Sequence, residues 1–154
     1  MAGPRGEPMG RRDFVQSLPV LGSGLLLGAA SLSVAGCAGG VSYVVPATPP
    51  GRLVVGAADL GPNGEAFVQG PGMSRPVFLH RSSSGIVVAV LASCTHNGCQ
   101  PVPVADRLVC PCHGSEFSLD GDVLQGPAER PLTRYEVTEE DGDVTVWLER
   151  SSSR

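Results

Sequence analysis

Two short stretches hold most of the side chains that could bind a metal or carry redox chemistry. CTHNGC covers residues 94 to 99, and CPCHGS covers residues 110 to 115. Together they contain four of the five cysteines and two of the three histidines in the chain. Cys94 and His96 are two residues apart, and Cys110 and His113 three, so each stretch offers one thiolate and one imidazole from a tight turn. The set Cys94, His96, Cys110 and His113 could hold a mononuclear zinc ion. It could also hold a binuclear 2Fe–2S cluster, in which two bridging sulfides leave each iron needing only two protein ligands. Either choice leaves Cys99 and Cys112 over, at what look like equivalent loop positions. Five cysteines are too few for a disulfide scaffold and too clustered to be scattered core thiols, so a metal site, a redox site or both is expected.

The elements around these stretches read as short strands broken by turns. Gly and Pro are plentiful and aromatics few, at 5%, a composition that favours strands and turns over long helices. RLVVGA (52–57), EAFVQG (65–70), PVFLHR (76–81) and IVVAVLAS (86–93) are strand candidates. RSSSG between the last two suggests a hairpin. The run from Ile86 is continuously apolar, as expected of a strand buried on both faces. QPVPVADRLV, between the two cysteine stretches, reads as a small hairpin that would bring two cysteine loops side by side. EFSLDGDVL carries Asp120-Gly121 between two short runs, a hairpin signal. TRYEV and DVTVWLE, joined through TEEDGD, read as a final hairpin. No helix or internal repeat is expected. His80 is expected at a solvent-facing or edge position, and Trp147 in the core. About 100 residues from Arg52 onward can bury a thin core, which a disulfide or cofactor would support.

The first fifty residues read differently. Arg11 and Arg12 precede a stretch without charge from Phe14 to Gly51, most apolar between about Leu18 and Ala35. Arg-Arg-Asp-Phe before a weakly apolar segment resembles a twin-arginine export signal. Ser33-Val34-Ala35-Gly36-Cys37 resembles a lipoprotein cleavage box that would lipidate Cys37. The rival is an uncleaved anchor, since the apolar run barely reaches the ~20 residues that span a bilayer. Residues 1–37 are therefore expected to be an export signal with a lipoprotein box or membrane anchor. Residues 38–51 are expected to be a Pro/Gly-rich tether and residues 52–154 the folded domain. That domain is expected on the extracytoplasmic or periplasmic face of a bacterial membrane. There, two spare cysteines in adjacent loops would be expected to oxidise to a disulfide. Net charge is −4, every basic residue is Arg, and no basic stripe appears, which argues against a nucleic-acid partner.

CTHNGC followed by CPCHGS resembles the Rieske iron–sulfur signature, in the disulfide-containing form of cytochrome bc and b6f complexes and of small exported bacterial Rieske proteins. The resemblance covers roughly Val87 to Leu132. It implies an all-β domain of antiparallel sheets with the cluster-binding loops at one tip, and one 2Fe–2S cluster per chain. It implies Cys94 and Cys110 on the inner iron, His96 and His113 on the outer iron, and a Cys99–Cys112 disulfide. Gly126-Pro127-Ala128 resembles the family's proline loop, which covers the cluster from a third side. Ser115 stands where high-potential members have a serine bonded to a bridging sulfide. Phe117 stands where those members have a tyrosine that bonds a cysteine sulfur. A hydrogen bond to sulfur favours the reduced cluster, so Phe117 implies a lower potential. Asn97 replaces the leucine usual in quinol-oxidising members, which weakens that reading.

The expected function is a membrane-tethered, exported one-electron carrier. It would pass electrons between a donor oxidoreductase or quinol and a cytochrome-type acceptor, the redox chemistry belonging to the cofactor. The alternatives are a Rieske subunit of a quinol:cytochrome oxidoreductase, the small subunit of an arsenite-oxidase-like molybdenum enzyme, and, more remotely, a structural zinc module. Oxygenase-type Rieske ferredoxins usually lack the two extra cysteines and an export signal.

Overall fold

Alternation along the apolar runs builds the core of this protein, seen in a computed structural model that describes residues 40 to 152. The strands are β1 (Ser42–Val44), β2 (Arg52–Gly56), β3 (Glu65–Val68), β4 (Val77–Arg81), β5 (Val87–Leu91), β6 (Val102–Val104), β7 (Arg107–Val109), β8 (Glu116–Ser118), β9 (Val123–Gln125), β10 (Arg134–Glu140) and β11 (Asp143–Ser152). A single 3-10 turn, Ala57–Asp59, is the only helical element among the described residues. The strands form a seven-stranded sheet in the order β1-β3-β4-β5-β10-β11-β2 and a four-stranded sheet in the order β6-β7-β8-β9. Every pairing is antiparallel except β1 with β3. The all-β expectation holds.

Successive side chains of a strand point to opposite faces, and here the two faces feed two cores. Ala66 and Val68, Val77 and Leu79, and Val87 and Ala89 join Leu53, Val55, Val144 and Val146 in the first. Phe67, Phe78, Val90 and Ala92 lie on the other face, with Leu108, Phe117, Leu132, Cys94 and Cys110. The continuous apolar run of β5 is thus covered on both sides, as its composition requires. The second core is the one that reaches the cysteines.

The hairpins fall where turn chemistry places them. β4 and β5 pair across Ser82–Ile86, and β6 and β7 pair between the cysteine stretches. In the last hairpin the strands run on through TEEDGD until only Asp141 and Gly142 remain outside, both with positive φ (52° and 85°). That is the backbone a two-residue type I′ turn demands. Gly121, with φ 90°, turns β8 into β9, and its carbonyl accepts the Leu132 N–H at 2.8 Å. A Cβ there would lie 3.0 Å from Val90 Cγ1 and 3.1 Å from Leu132 Cβ. Gly121→Ala is expected to cost more than about 1 kcal/mol, read as a lower urea midpoint.

Three expectations need correction or refinement. The described part of the expected tether, residues 40–51, does not lie wholly outside the domain. β1 pairs with β3 through Ser42↔Ala66 to Val44↔Val68, Ala47 bridges Val54, and Pro46 is buried. An extended segment satisfies its N–H and C=O groups on an open sheet edge as readily as in water. His80 is neither solvent-facing nor on an edge. Its strand β4 lies between β3 and β5, its side chain is 17% exposed, and its Nδ1 is buried 3.9 Å from Glu65 Oε1, too far for a hydrogen bond. Trp147 is half-buried and belongs to neither core. The Arg52 guanidinium lies 5.3 Å over its ring, and Nε1–H donates to Thr138 Oγ1 at 3.3 Å. An amphipathic ring with a polar edge suits that covered outer face.

Candidate metal centre

Each cysteine stretch closes on itself by the same two backbone bonds. Cys94 N–H donates to Cys99 O at 2.8 Å, and Gly98 N–H donates to Cys94 O at 2.7 Å. Cys110 N–H donates to Ser115 O at 2.8 Å, and Gly114 N–H donates to Cys110 O at 3.0 Å. Gly98 and Gly114, with φ 70° and 74°, make both turns possible. In this register Cys94 matches Cys110, but Cys99 is five residues after its cysteine and Cys112 only two. The expectation that Cys99 and Cys112 are equivalent therefore fails; they meet because the loops face each other. They form a disulfide, with Cα atoms 6.5 Å apart, that staples one loop to the other. Although the Sγ atoms of Cys99, Cys110 and Cys112 lie within 4.8 Å of one another, two of them are bonded together and cannot serve as thiolate ligands.

Cys94 and Cys110 remain free and buried, at 2% and 1% exposure. Burial alone pushes the Cys94 thiol up. The backbone N–H groups of His96 and Asn97, the Ser115 hydroxyl and the Cys110 thiol outweigh it and hold Cys94 below the ordinary thiol range. Cys110 is pushed up by burial and by the neighbouring Cys94 sulfur, against the N–H groups of Cys112 and His113. Two adjacent sulfurs cannot both carry negative charge without a compensating cation. His96 and His113 are exposed, and their rings meet edge to face with centroids 4.8 Å apart. Two buried thiols ringed by N–H donors, with two imidazoles outside them, form a donor set that fits a binuclear iron–sulfur group.

Other predicted residues converge here. Ser115 is fully buried and its Oγ accepts the Ala128 N–H at 3.0 Å, which leaves its own proton for Cys94 sulfur. Phe117 is fully buried in the core that contains both free cysteines. Gly126 and Pro127, joined by a cis peptide, lie between β9 and Ala128. Pro127 lines a cavity of about 250 Å³ with Thr95, His96, Glu129 and Arg130. Sequence reasoning missed Thr95, whose hydroxyl donates to Arg130 O at 2.6 Å and ties the first loop to the proline loop. It also missed Tyr43, which accepts from Gln100 Nε2 at 2.8 Å. Neither residue carries a local signal, because the partners are 35 and 57 residues apart.

The family described as Rieske [2Fe-2S] domain matches residues 52–136. The chain belongs to this family. It is 33% identical over 150 residues to the cytochrome b6-f complex iron-sulfur subunit of Chlorobaculum tepidum, covering 94% of this chain and 78% of that protein. It is 32% identical to the subunit of the same name from Prochlorococcus marinus (strain MIT 9515), covering 92% and 87%. Among solved structures, the cyanobacterial plasma membrane Rieske protein of Synechocystis PCC 6803 matches with a TM-score of 0.54 and 40% identity, over 60% of this chain and 96% of that one. The protein is therefore a Rieske-type iron–sulfur electron carrier, and its cofactor is a Rieske 2Fe–2S cluster. Phe117 offers no hydroxyl to the sulfurs it is buried with. Phe117→Tyr is expected to raise the Rieske midpoint in an EPR-monitored titration; an unchanged or lower value would remove Phe117 from the account. Arg11, Arg12 and Cys37 lie outside the described residues. No helix among the described residues is long and apolar enough to cross a membrane.

Proposed function

We propose that Cys94 and Cys110 bind the inner iron, that His96 and His113 bind the outer iron, and that the protein is an exported, membrane-tethered one-electron carrier. The observation that carries this reading is the pair of exposed imidazoles in edge contact, on the same two loops as the two buried thiols. When bound, the cluster supplies reversible one-electron transfer. The chain supplies the rest. Backbone N–H groups and the Ser115 hydroxyl stabilise negative charge on the inner sulfurs, and the second core keeps water from them. The disulfide and the proline loop hold the two loops at a fixed spacing. His96 and His113 form the exposed edge of the site, where a partner surface could approach.

A cluster held by two imidazoles would couple its oxidation to proton release, so the midpoint should fall at alkaline pH. An EPR-monitored titration of the full-length protein at two pH values tests this. A low-average-g signal with a pH-dependent midpoint supports the ligand set; a midpoint flat through the alkaline range removes the two histidines from it. The b6-f name of this chain's relatives supports a cytochrome-type acceptor, with an oxidoreductase or quinol as donor. Arg11 and Arg12 would direct export, and Cys37 would carry lipid unless the apolar segment stays as an anchor. Mass measurement of the mature N-terminus separates those two.

A second reading is a subunit of a quinol:cytochrome oxidoreductase. It is supported by the b6-f name of relatives that align along more than nine-tenths of the chain. Exposed Asn97 at the tip weighs against an apolar quinol-side dock. Co-purification with a cytochrome b would decide for the complex.

A further inference from the structure

The shared bonding plan of the two cysteine loops exposes a difference between them. In each loop a side chain from elsewhere takes the carbonyl of the turn glycine. Gln125 Nε2 donates to Gly114 O at 3.5 Å from an exposed position. Arg75 Nε donates to Gly98 O at 2.7 Å, and this bond is half-buried. One loop is held loosely by a neutral amide, the other tightly by a cation.

Arg75 is well placed to hold. It directly precedes Pro76, whose carbonyl accepts the Ala92 N–H at 2.9 Å, and β4 begins at the next residue with Val77 opposite Leu91. The Arg75 backbone and the start of the Cys94 loop therefore leave the same end of the sheet, braced by the same bonds. No carboxylate lies within ion-pair distance of Arg75 among the described residues, whereas Arg81, Arg107 and Arg134 are each paired. Its charge is therefore not cancelled locally, and partial burial weakens its screening by water.

We propose that Arg75 is a positioning residue of the cluster site. Its Nε–H fixes the Gly98 peptide and with it the loop of Cys94 and His96, and its charge favours the electron-loaded state. The inference rests on the ligand set proposed above. A cation beside a group that becomes more negative on reduction lowers the energy of the reduced form, so removing the charge must lower the midpoint. A side chain that only braced the loop would act through shape, and charge-conserving and charge-removing variants would behave alike.

The test is the EPR-monitored midpoint and the rate of cluster loss in full-length, cluster-loaded protein, for wild type, Arg75→Gln, Arg75→Lys and Gln125→Ala. Arg75→Gln keeps a donor and loses the charge. It is expected to show a lowered midpoint, with Arg75→Lys close to wild type in potential but faster in losing its cluster. Gln125→Ala is expected to change neither reading. An Arg75→Gln midpoint equal to wild type, or an equal drop in the Gln and Lys variants, overturns the proposal. If Arg75→Gln holds no cluster, Arg75→Lys decides: a wild-type midpoint sustains the proposal and a displaced one overturns it. Failure of the ligand set would be seen separately, as absence of a Rieske signal in the wild type.

Discussion

Cys110→Ser is expected to abolish the Rieske EPR signal and most of the bound iron while leaving the far-ultraviolet circular dichroism of the β domain in place. A serine hydroxyl is far harder to ionise than a thiol and binds soft iron weakly. Cys110 is 1% exposed, with the N–H groups of Cys112 and His113 directed at its sulfur. Those donors stabilise a thiolate and gain nothing comparable from a neutral hydroxyl. The size change is small, so the second core, with Leu108, Phe117 and Leu132 around the site, should still close. Iron per chain and the EPR spectrum are the readings. Full iron content with an unaltered spectrum in the variant would remove Cys110 from the ligand set. The same change at Cys99 should leave iron binding measurable, because that sulfur is already spent in the disulfide.

The second large effect belongs to the disulfide itself. Cys99 and Cys112 are 13 residues apart, and a closure of that length stabilises a fold by about 3 kcal/mol. The double variant Cys99→Ser/Cys112→Ser is the right probe, because a single change leaves a thiol beside Cys110, free to exchange. It is expected to unfold at markedly lower urea and to lose its cluster faster. Apart from the main chain through the β6–β7 hairpin, the disulfide is the covalent link between the two loops, while each loop's backbone bonds close it upon itself. Urea titration under non-reducing conditions measures the first effect, and bleaching of the visible absorbance measures the second. A urea midpoint within error of the wild type would mean that the β6–β7 hairpin and the proline loop hold the two stretches together unaided.

Some of this centre was legible in particular residues. The Cys-His spacings of 94–96 and 110–113 identified the chemistry, because few residue types bind soft metals and few backbones present two of them in one turn. The spacings left zinc and iron–sulfur both open; resemblance to the Rieske signature separated them. The hairpins at β4–β5, β6–β7 and β10–β11 were readable because turn residues act locally, and both faces of β5 were readable from an apolar run without alternation. His80, Trp147 and the stretch 38–51 were not. Whether a strand lies inside a sheet or at its edge depends on neighbours far along the chain. β3 is the next strand after β2 in the chain, yet β2 pairs with β11 at the opposite end of the sheet.

By itself the sequence determined that two short thiol–imidazole turns could hold a metal or cluster, where the hairpins turn, and the alternation that makes an all-β fold with two buried faces. All of these follow from side-chain type and backbone preference within a few residues. Only the tertiary structure decided that Cys99, five residues after Cys94, meets Cys112, two residues after Cys110, that β1 belongs to the sheet, and that Arg75 grips Gly98 across 23 residues. Such contacts form when the sheet order brings distant segments together, and no local pattern in the chain encodes that order.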